Sequence, residues 1–393
     1  MQNKKDKPFE LYIHIPFCVK KCDYCDFLSG PAGEKEQQAY VQALLEEIAA
    51  VKEGVGRSVT SVFIGGGTPS VLSTDLIEGI MEGINRKFSL LPDAEISMEV
   101  NPGTVVKRDE VCGKHLLGHT ISVDKLRAYR KCGINRLSIG LQSADNGELR
   151  SLGRIHTYEQ FLETYQAARE AGFDNVNVDL MSAIPGQTYD GWIRNLRTVA
   201  KLNPEHISAY SLIVEEGTPF AGRNLELPDE ETEYRMYEDT AAVLGKYGYE
   251  QYEISNYAKA GRQCRHNEGY WKRRDYLGLG LGAASLWGNG RFSNTRDMKE
   301  YLADSCRPDK IRCMEPPLTV RDEMAEFIFL GLRMTKGVSC REFLENFGCS
   351  VHEIYGDVLE KYTALSLLEC KDDRIFLTRK GIHVSNAVMA EFL

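Results

Sequence analysis

Three cysteines lie close together near the start of the chain, in the stretch CVKKCDYC, at Cys18, Cys22 and Cys25. Clustered thiolates bind zinc or iron–sulfur clusters. Structural zinc normally needs four protein ligands, and no fourth cysteine follows at a matching spacing. His14 lies on the preceding predicted strand, which fixes its direction. A [4Fe–4S] cluster held by three cysteines leaves one iron open for a small molecule, so the spacing favours such a cluster over zinc or unrelated thiols.

The elements that position this loop follow from a repeating pattern. Short β-rich runs recur along the first 215 residues, and most are separated by segments of helical spacing, such as AYVQALLEEIAAVKEG. The runs are ELYIHI (10–15), SVFIG (61–65), EISMEV (95–100), NRLSIG (135–140), NVNVDLM (175–181) and HISAYSLIV (206–214). Strands that alternate with helices pair in parallel through right-handed crossovers. The sequence therefore predicts an α/β fold with a partial (β/α)6 barrel.

Unusual polar and glycine-rich residues follow these predicted strands. GGGTPS comes after the second strand, Glu99 and NPGT end the third, and Asp179 lies in the fifth. Barrels of this kind carry their chemistry at the carboxyl ends of the strands. We therefore expect these residues and the cysteine loop to meet at one rim.

Composition excludes several classes of protein. With 42% hydrophobic and 27% charged residues, the chain of 393 residues is globular. A formal net charge of -9 and the lack of long Lys/Arg blocks argue against nucleic acid as a partner. No signal peptide or membrane span is predicted, so we expect a cytoplasmic protein and leave peripheral membrane contact open. Most of the eleven cysteines stand alone, as is typical of reduced thiols.

The pattern changes twice along the chain. We predict a barrel domain over residues 1–250, an extension on the substrate side over 251–316, and a C-terminal α+β domain over 317–393. Three helical segments and a hairpin-like stretch, LECKDDRIFLTRKG, make this last domain resemble a winged helix. In an acidic chain we favour packing or partner docking as its role over binding of nucleic acid.

CVKKCDYC resembles the signature of radical S-adenosylmethionine (SAM) enzymes. In that superfamily the open iron binds the amino and carboxylate groups of SAM, and the reduced cluster cleaves a carbon–sulfur bond to give a 5'-deoxyadenosyl radical. The resemblance implies a [4Fe–4S] cluster, SAM and a low-potential electron donor. It also implies SAM contacts at the following positions of this chain: Tyr12, Tyr24, Gly66, Gly67, Thr68, Glu99, Gln142, Arg154 and Asp179.

Phrases spread over residues 11–386 resemble one group within that superfamily, which contains oxygen-independent coproporphyrinogen III oxidases and HemW-type haem chaperones. They are YIHIPFC, GGGTPS, NRLSIGLQS, YEISNYA, RHNEGYW and FLTRKGIHVSN. The oxidases typically carry a further cysteine two positions after the third, whereas this chain has Phe27 there, as the HemW pattern does. The resemblance therefore favours haem binding and transfer to respiratory haem proteins. The alternative is radical decarboxylation of coproporphyrinogen III to protoporphyrinogen IX.

The segment HNEGYW matches the His-Asn-x-x-Tyr-Trp stretch associated with haem binding in the HemW-like proteins. The resemblance makes His266 a candidate haem ligand, since a neutral imidazole binds haem iron. A lone histidine in such a segment is otherwise more often an ordinary hydrogen-bonded residue. A further departure is KRDEVCGKHLLGHTIS, an apparent insertion over about 107–122 with Cys112, His115 and His119. We expect a surface excursion there, with an additional haem or metal ligand as the alternative.

Overall fold

Six parallel strands form the centre of the fold in this computed structural model, which describes residues 7–105 and 121–393. Neighbouring strands pair in chain order and in parallel, as the alternating pattern predicts. The strands are β1 (Phe9–Ile15), β2 (Ser58–Gly66), β3 (Ser89–Val100), β4 (Arg136–Gln142), β5 (Val176–Ser182) and β6 (His206–Ser211).

Helices follow each of these strands along the chain. They are α1 (Glu34–Ala50), α2 (Thr74–Lys87), α3 (Val123–Lys131), α4 (Asn146–Ser151), α5 (Tyr158–Glu170), α6 (Tyr189–Lys201) and α7 (Glu230–Gly245). The apolar positions predicted for α1, among them Val41, Leu44 and Ile48, are buried in the main core. Alternate strand residues such as Leu11 and Ile13 join the same core. The remaining strand positions place polar side chains in the barrel interior.

Residues 251–316 extend this sheet on both sides. The first part adds β7 (Glu250–Glu253) and β8 (Asn256–Ala258) beside β6 and then forms α8 (Arg265–Trp271). The second part contains β9 (Tyr276–Leu279), β10 (Ala284–Trp287), β11 (Gly290–Asn294), α9 (Met298–Asp304), α10 (Pro308–Ile311) and β12 (Arg312–Met314). Strand β9 pairs in parallel with β1. The result is one sheet of twelve strands within the described residues.

The C-terminal region has its own apolar core, which runs from Met324 to Phe392. Its elements are α11 (Val320–Gly331), β13 (Val338–Ser339), α12 (Cys340–Phe347), α13 (Val351–Ala364), β14 (Leu368–Lys371), β15 (Arg374–Leu377), α14 (Arg379–His383) and α15 (Ser385–Ala390). Three helices and the antiparallel hairpin β14–β15 occur in the predicted order. Two short helices follow that the sequence pattern had merged into one.

Cys112, His115 and His119 of the apparent insertion lie outside the described residues, so its role stays a prediction. No helix in residues 7–105 and 121–393 is long and apolar enough to cross a bilayer.

Candidate functional site

The cysteine loop follows β1 and is held by hydrogen bonds within the loop and by an ion pair to the segment after β6. The Cys18 amide donates to the Gly30 carbonyl at 3.0 Å, and the Cys25 amide donates to the Cys22 carbonyl at 3.2 Å. In the middle of the loop, Asp23 forms an ion pair with Arg223 at 2.7 Å. The three thiols of this loop line a cavity at the carboxyl ends of the strands.

One cavity at this rim brings together most of the predicted site residues. Its lining includes Cys18, Cys22, Tyr24, Cys25, Gly66, Gly67, Thr68, Glu99, Gln142, Arg154 and Asp179. The three cysteines are half-buried free thiols. Among the described residues, no three Cys, His, Asp or Glu side chains stand at the mutual distances of a preformed metal site. The donor set of three free thiols on one wall nevertheless matches the three-cysteine ligation of an open cluster.

The glycine-rich turn after β2 leaves no room for side chains. A Cβ on Gly66, whose φ is +110°, would lie 2.4 Å from the His14 ring. A Cβ on Gly67 would lie 2.6 Å from the Phe17 carbonyl oxygen. Only glycine therefore lets this backbone reach the cavity and contact the cysteine loop. The turn ends at Thr68, whose Oγ1 lies 3.7 Å from the Cys18 Sγ.

Two buried carboxyl groups, Glu99 and Asp179, lie in the same cavity. Burial raises the pKa of Glu99 to about 8, and the charge of Asp179 adds to this rise, while a hydrogen bond from the Gly66 amide at 3.0 Å opposes it. The pKa of Asp179 is also raised by burial, although Asn177 and Ser138 donate to its carboxylate. The site thus holds an acid pair that a cationic ligand would stabilise in its ionised form.

A buried guanidinium faces the cysteines. Arg154 donates to the Gly140 carbonyl at 2.7 Å and lies 3.5 Å from the Cys22 Sγ. Its Nε has no hydrogen-bond partner in the described residues. Gln142, at the end of β4, has a φ of 68° and a buried Oε1 that likewise lacks a partner. Backbone strain and unsatisfied polar atoms of this kind concentrate at ligand sites. Together with the carboxylates, these groups fit a zwitterionic amino acid ligand such as the methionine moiety of SAM.

The structure does not bring Tyr12 into this cavity. Its hydroxyl shares a hydrogen bond of 3.0 Å with Nδ1 of His14, and its ring stacks near Phe63 inside the barrel. Burial and the charge of Glu99 raise the pKa of Tyr12. The side chain lies one layer below the rim, so its predicted contact with SAM stays a prediction.

His266 does not line this cavity either. Helix α8 enters the barrel near the amino ends of the strands, where Glu95 accepts from the His266 amide at 3.3 Å. The imidazole is 1% exposed and stacks on Phe63 at 5.2 Å. Nδ1 is bonded to Ser61 at 2.9 Å and Nε2 to Tyr270 at 3.0 Å. With both nitrogens occupied and no solvent access, this ring is not available to haem iron in the conformation described, and its predicted role stays untested.

Sequence reasoning missed several residues that line the cavity, including Ser138 and Tyr210. Ser138 donates to Asp179, and Tyr210 lies near the end of β6. Alternation along a strand could have identified Tyr210. His206, Ser208 and Tyr210 occupy every second position of β6, and these positions face the barrel interior. Phe27 also belongs to the lining, at the outer edge, with 59% of its side chain exposed.

The geometry has counterparts in known proteins. Residues 12–199 match the Radical SAM superfamily and residues 318–384 match the HemN C-terminal domain. A "Heme chaperone HemW" of Bacillus subtilis is 35% identical over 97% of this chain and 98% of its own length. The chain belongs to the HemW family. A second HemW relative, from Escherichia coli, is 36% identical over 93% of each chain.

Structural similarity agrees with this assignment. The crystallised coproporphyrinogen III oxidase HemN of E. coli superposes with a TM-score of 0.83 and 25% identity, covering 99% of this chain and 90% of its own. HemW and HemN therefore share the barrel and the C-terminal domain. Membership of the radical SAM superfamily implies a [4Fe–4S] cluster and SAM as cofactors.

Proposed function

We propose that this HemW family member binds haem as cargo and passes it to respiratory haem proteins, with the cluster and SAM in supporting or regulatory roles. The names of the full-length relatives support the proposal, since they are called heme chaperones. The observation that carries it is Phe27, which occupies the position where the oxidases typically have an additional cysteine. A benzyl group on the cavity rim neither ligates metal nor relays electrons as a thiolate does.

The alternative function is oxygen-independent oxidation of coproporphyrinogen III. The close similarity to HemN supports a shared scaffold, but folds of one kind host different functions. The local chemistry at Phe27 separates the two functions better than the scaffold does.

We infer that Cys18, Cys22 and Cys25 hold the cluster. The SAM contacts would come from Tyr24, Gly66, Gly67, Thr68, Glu99, Gln142, Arg154 and Asp179, with Tyr12 behind them. When bound and reduced, the cluster would supply one electron to the sulfonium of SAM. The guanidinium of Arg154 is suited to the carboxylate of SAM, and the carboxyl groups of Glu99 and Asp179 are suited to its cationic groups.

The partners beyond haem follow from the same proposal. The cluster needs a low-potential electron donor, and the cargo needs receiving respiratory haem proteins. We further propose that residues 1–250 carry the cofactors, 251–316 form the cargo side, and the domain over 317–393 serves packing or partner docking in the cytoplasm.

An anaerobic assay tests the function. The protein is reconstituted with iron and sulfide, reduced with dithionite and given SAM, and then incubated with either haem or coproporphyrinogen III. We expect a stoichiometric Soret band with haem, transfer of that haem to an apo-haem protein, and no protoporphyrinogen IX. Conversion of coproporphyrinogen III, with Phe27 in place, would overturn the chaperone function and favour the oxidase.

A further inference from the structure

A second cavity lies on the other side of the cysteine loop from the SAM site. It has a volume of about 490 Å³, within the range of small-molecule sites. Its walls come from the residues that flank the cysteines, from the first turns of α1, and from α9 of the extension. The cavity opens beside the carboxyl ends of β1 and β9, so it belongs to the functional rim of the barrel.

The lining is mostly apolar. Phe17, Leu28, Ala39, Leu281 and Leu302 form its surface. Leu302 and Ala39 are exposed, although their neighbours Phe17 and Leu281 belong to the buried core. Solvent-accessible apolar concavities of this size are typical of small-molecule binding sites.

Two cations stand at the edge of this cavity. Lys35 on α1 and Arg296 before α9 both line it, and both are solvent exposed. Neither forms an ion pair with another described residue. The one carboxylate of the lining, on Glu36, accepts from the Gly33 amide at 2.7 Å and so caps α1. An apolar cavity with two uncommitted cations on its rim complements a flat apolar molecule that carries two carboxylates.

We propose that this cavity, and not the surroundings of His266, is the seat of the haem cargo, with Lys35 and Arg296 paired to the two propionates. The inference rests on the proposed haem-binding function and adds where the haem binds. Met298 also lines the cavity, and its thioether is a ligand type found on haem iron.

The seat shares a wall with the cluster site. The Phe17 carbonyl accepts from the Thr68 amide at 2.7 Å, and the Gly30 amide donates to the Pro16 carbonyl at 3.0 Å. Phe17 and Gly30 therefore belong to the haem seat, while their neighbours Cys18 and Thr68 line the SAM cavity. A cluster held by the cysteines would therefore adjoin the segment that lines the seat, which would give the cluster and SAM a means to regulate cargo binding.

Haem titration of reconstituted full-length variants tests the seat. Ala39→Trp fills the cavity from an exposed helix position, and the double variant Lys35→Glu/Arg296→Glu reverses both rim charges. Lys299→Glu, on α9 but outside the lining, is the matched control. We expect a loss of affinity of about tenfold or more for the first two variants and none for the control. Cluster content and SAM affinity should stay at the wild-type level.

The outcomes separate the two proposals. Wild-type protein that binds no haem would refute the proposed function itself. Wild-type protein that binds haem, together with unchanged affinity in both cavity variants, would place the cargo elsewhere and overturn this inference. If Ala39→Trp fails to assemble its cluster, the haem affinity of Lys35→Glu/Arg296→Glu alone tests the inference. Lys35 and Arg296 are both solvent exposed, so we expect the double variant to fold normally.

Discussion

His266 and Tyr270 lie one helical turn apart on α8 and share a hydrogen bond of 3.0 Å inside the barrel. The second ring nitrogen of His266 is bonded to Ser61, and burial lowers the pKa of His266 to about 3, with the charges of Arg136 and Arg274 contributing. The imidazole is therefore neutral and completes a buried polar network. In this conformation the contacts of His266 fix α8 against β2.

Replacement of His266 by alanine should consequently reduce stability and leave the affinity for haem unchanged. It would remove a stacked ring together with its hydrogen bonds to Ser61 and Tyr270, at a cost of roughly 2–4 kcal/mol. The measurements are chemical denaturation and haem titration of the folded protein.

His206 offers a matched control for that substitution. It is equally buried, and its two nitrogens are bonded to Asn177 at 2.6 Å and Tyr252 at 2.9 Å. His206→Ala should resemble His266→Ala in both measurements. A selective loss of haem binding in His266→Ala, with a changed Soret spectrum, would instead mean that α8 opens and that His266 ligates the iron.

Binding of SAM should release a proton through Glu99. At pH 7 this carboxyl, with a pKa of about 8, is mostly protonated, and a cationic ligand beside it favours the ionised form. Calorimetry in buffers of different ionisation enthalpy should show roughly 0.5–1 proton released at pH 7, and less above pH 9. Glu99→Gln should abolish the release. Equal proton release in this variant would assign the linkage to another group.

The same shift has a consequence for the stability of the SAM-free protein. The folded-state pKa of Glu99 lies above its ordinary value of 4.5, so the contribution of the neutral carboxyl is complete below pH 4.5 and is lost as the pH rises towards 8. Asp179→Asn should lower the pKa of Glu99, because it removes the neighbouring charge. The proton release on SAM binding and the loss of stability should then both end at lower pH.

Each of the three loop cysteines should be needed for the cluster and not for the fold. Cys18→Ser, Cys22→Ser and Cys25→Ser should each lose most cluster iron and sulfide after reconstitution, with unchanged circular dichroism, because the thiols are only half-buried in a loop. Cys306→Ser is the control, since this cysteine is exposed and lies outside the loop. Retention of a full cluster in a Cys22 variant would point to a ligand other than the predicted three.

The main strands and the rim could be predicted because periodicity and strand order are local signals. The run ELYIHI at 10–15 became Phe9–Ile15, and NVNVDLM at 175–181 became Val176–Ser182. The layer in which a side chain lies could not be predicted, because it depends on register between strands. Tyr12 and Glu99 both point into the barrel, yet only Glu99 lines the SAM cavity. The short strands of residues 251–316 show no period in the sequence, and they form through pairing with β1, with β6 and with one another.

Glu326 on α11 joins the C-terminal domain to the extension. Its carboxylate is bonded to Arg273 at 2.6 Å and to Arg291 at 2.9 Å, and its side chain is 10% exposed. Glu326→Ala would leave two largely buried guanidinium groups without this partner, so we expect a loss of roughly 1–3 kcal/mol in the free energy of unfolding, after allowance for the partial exposure of Arg291. The exposed pair Arg127–Asp124 is the control, and Asp124→Ala should cost less than about 0.5 kcal/mol. Equal losses of stability in Glu326→Ala and Asp124→Ala would mean that the protein does not depend on this contact. A large loss in Glu326→Ala alone would show that the contact of α11 with Arg273 and Arg291 contributes to stability.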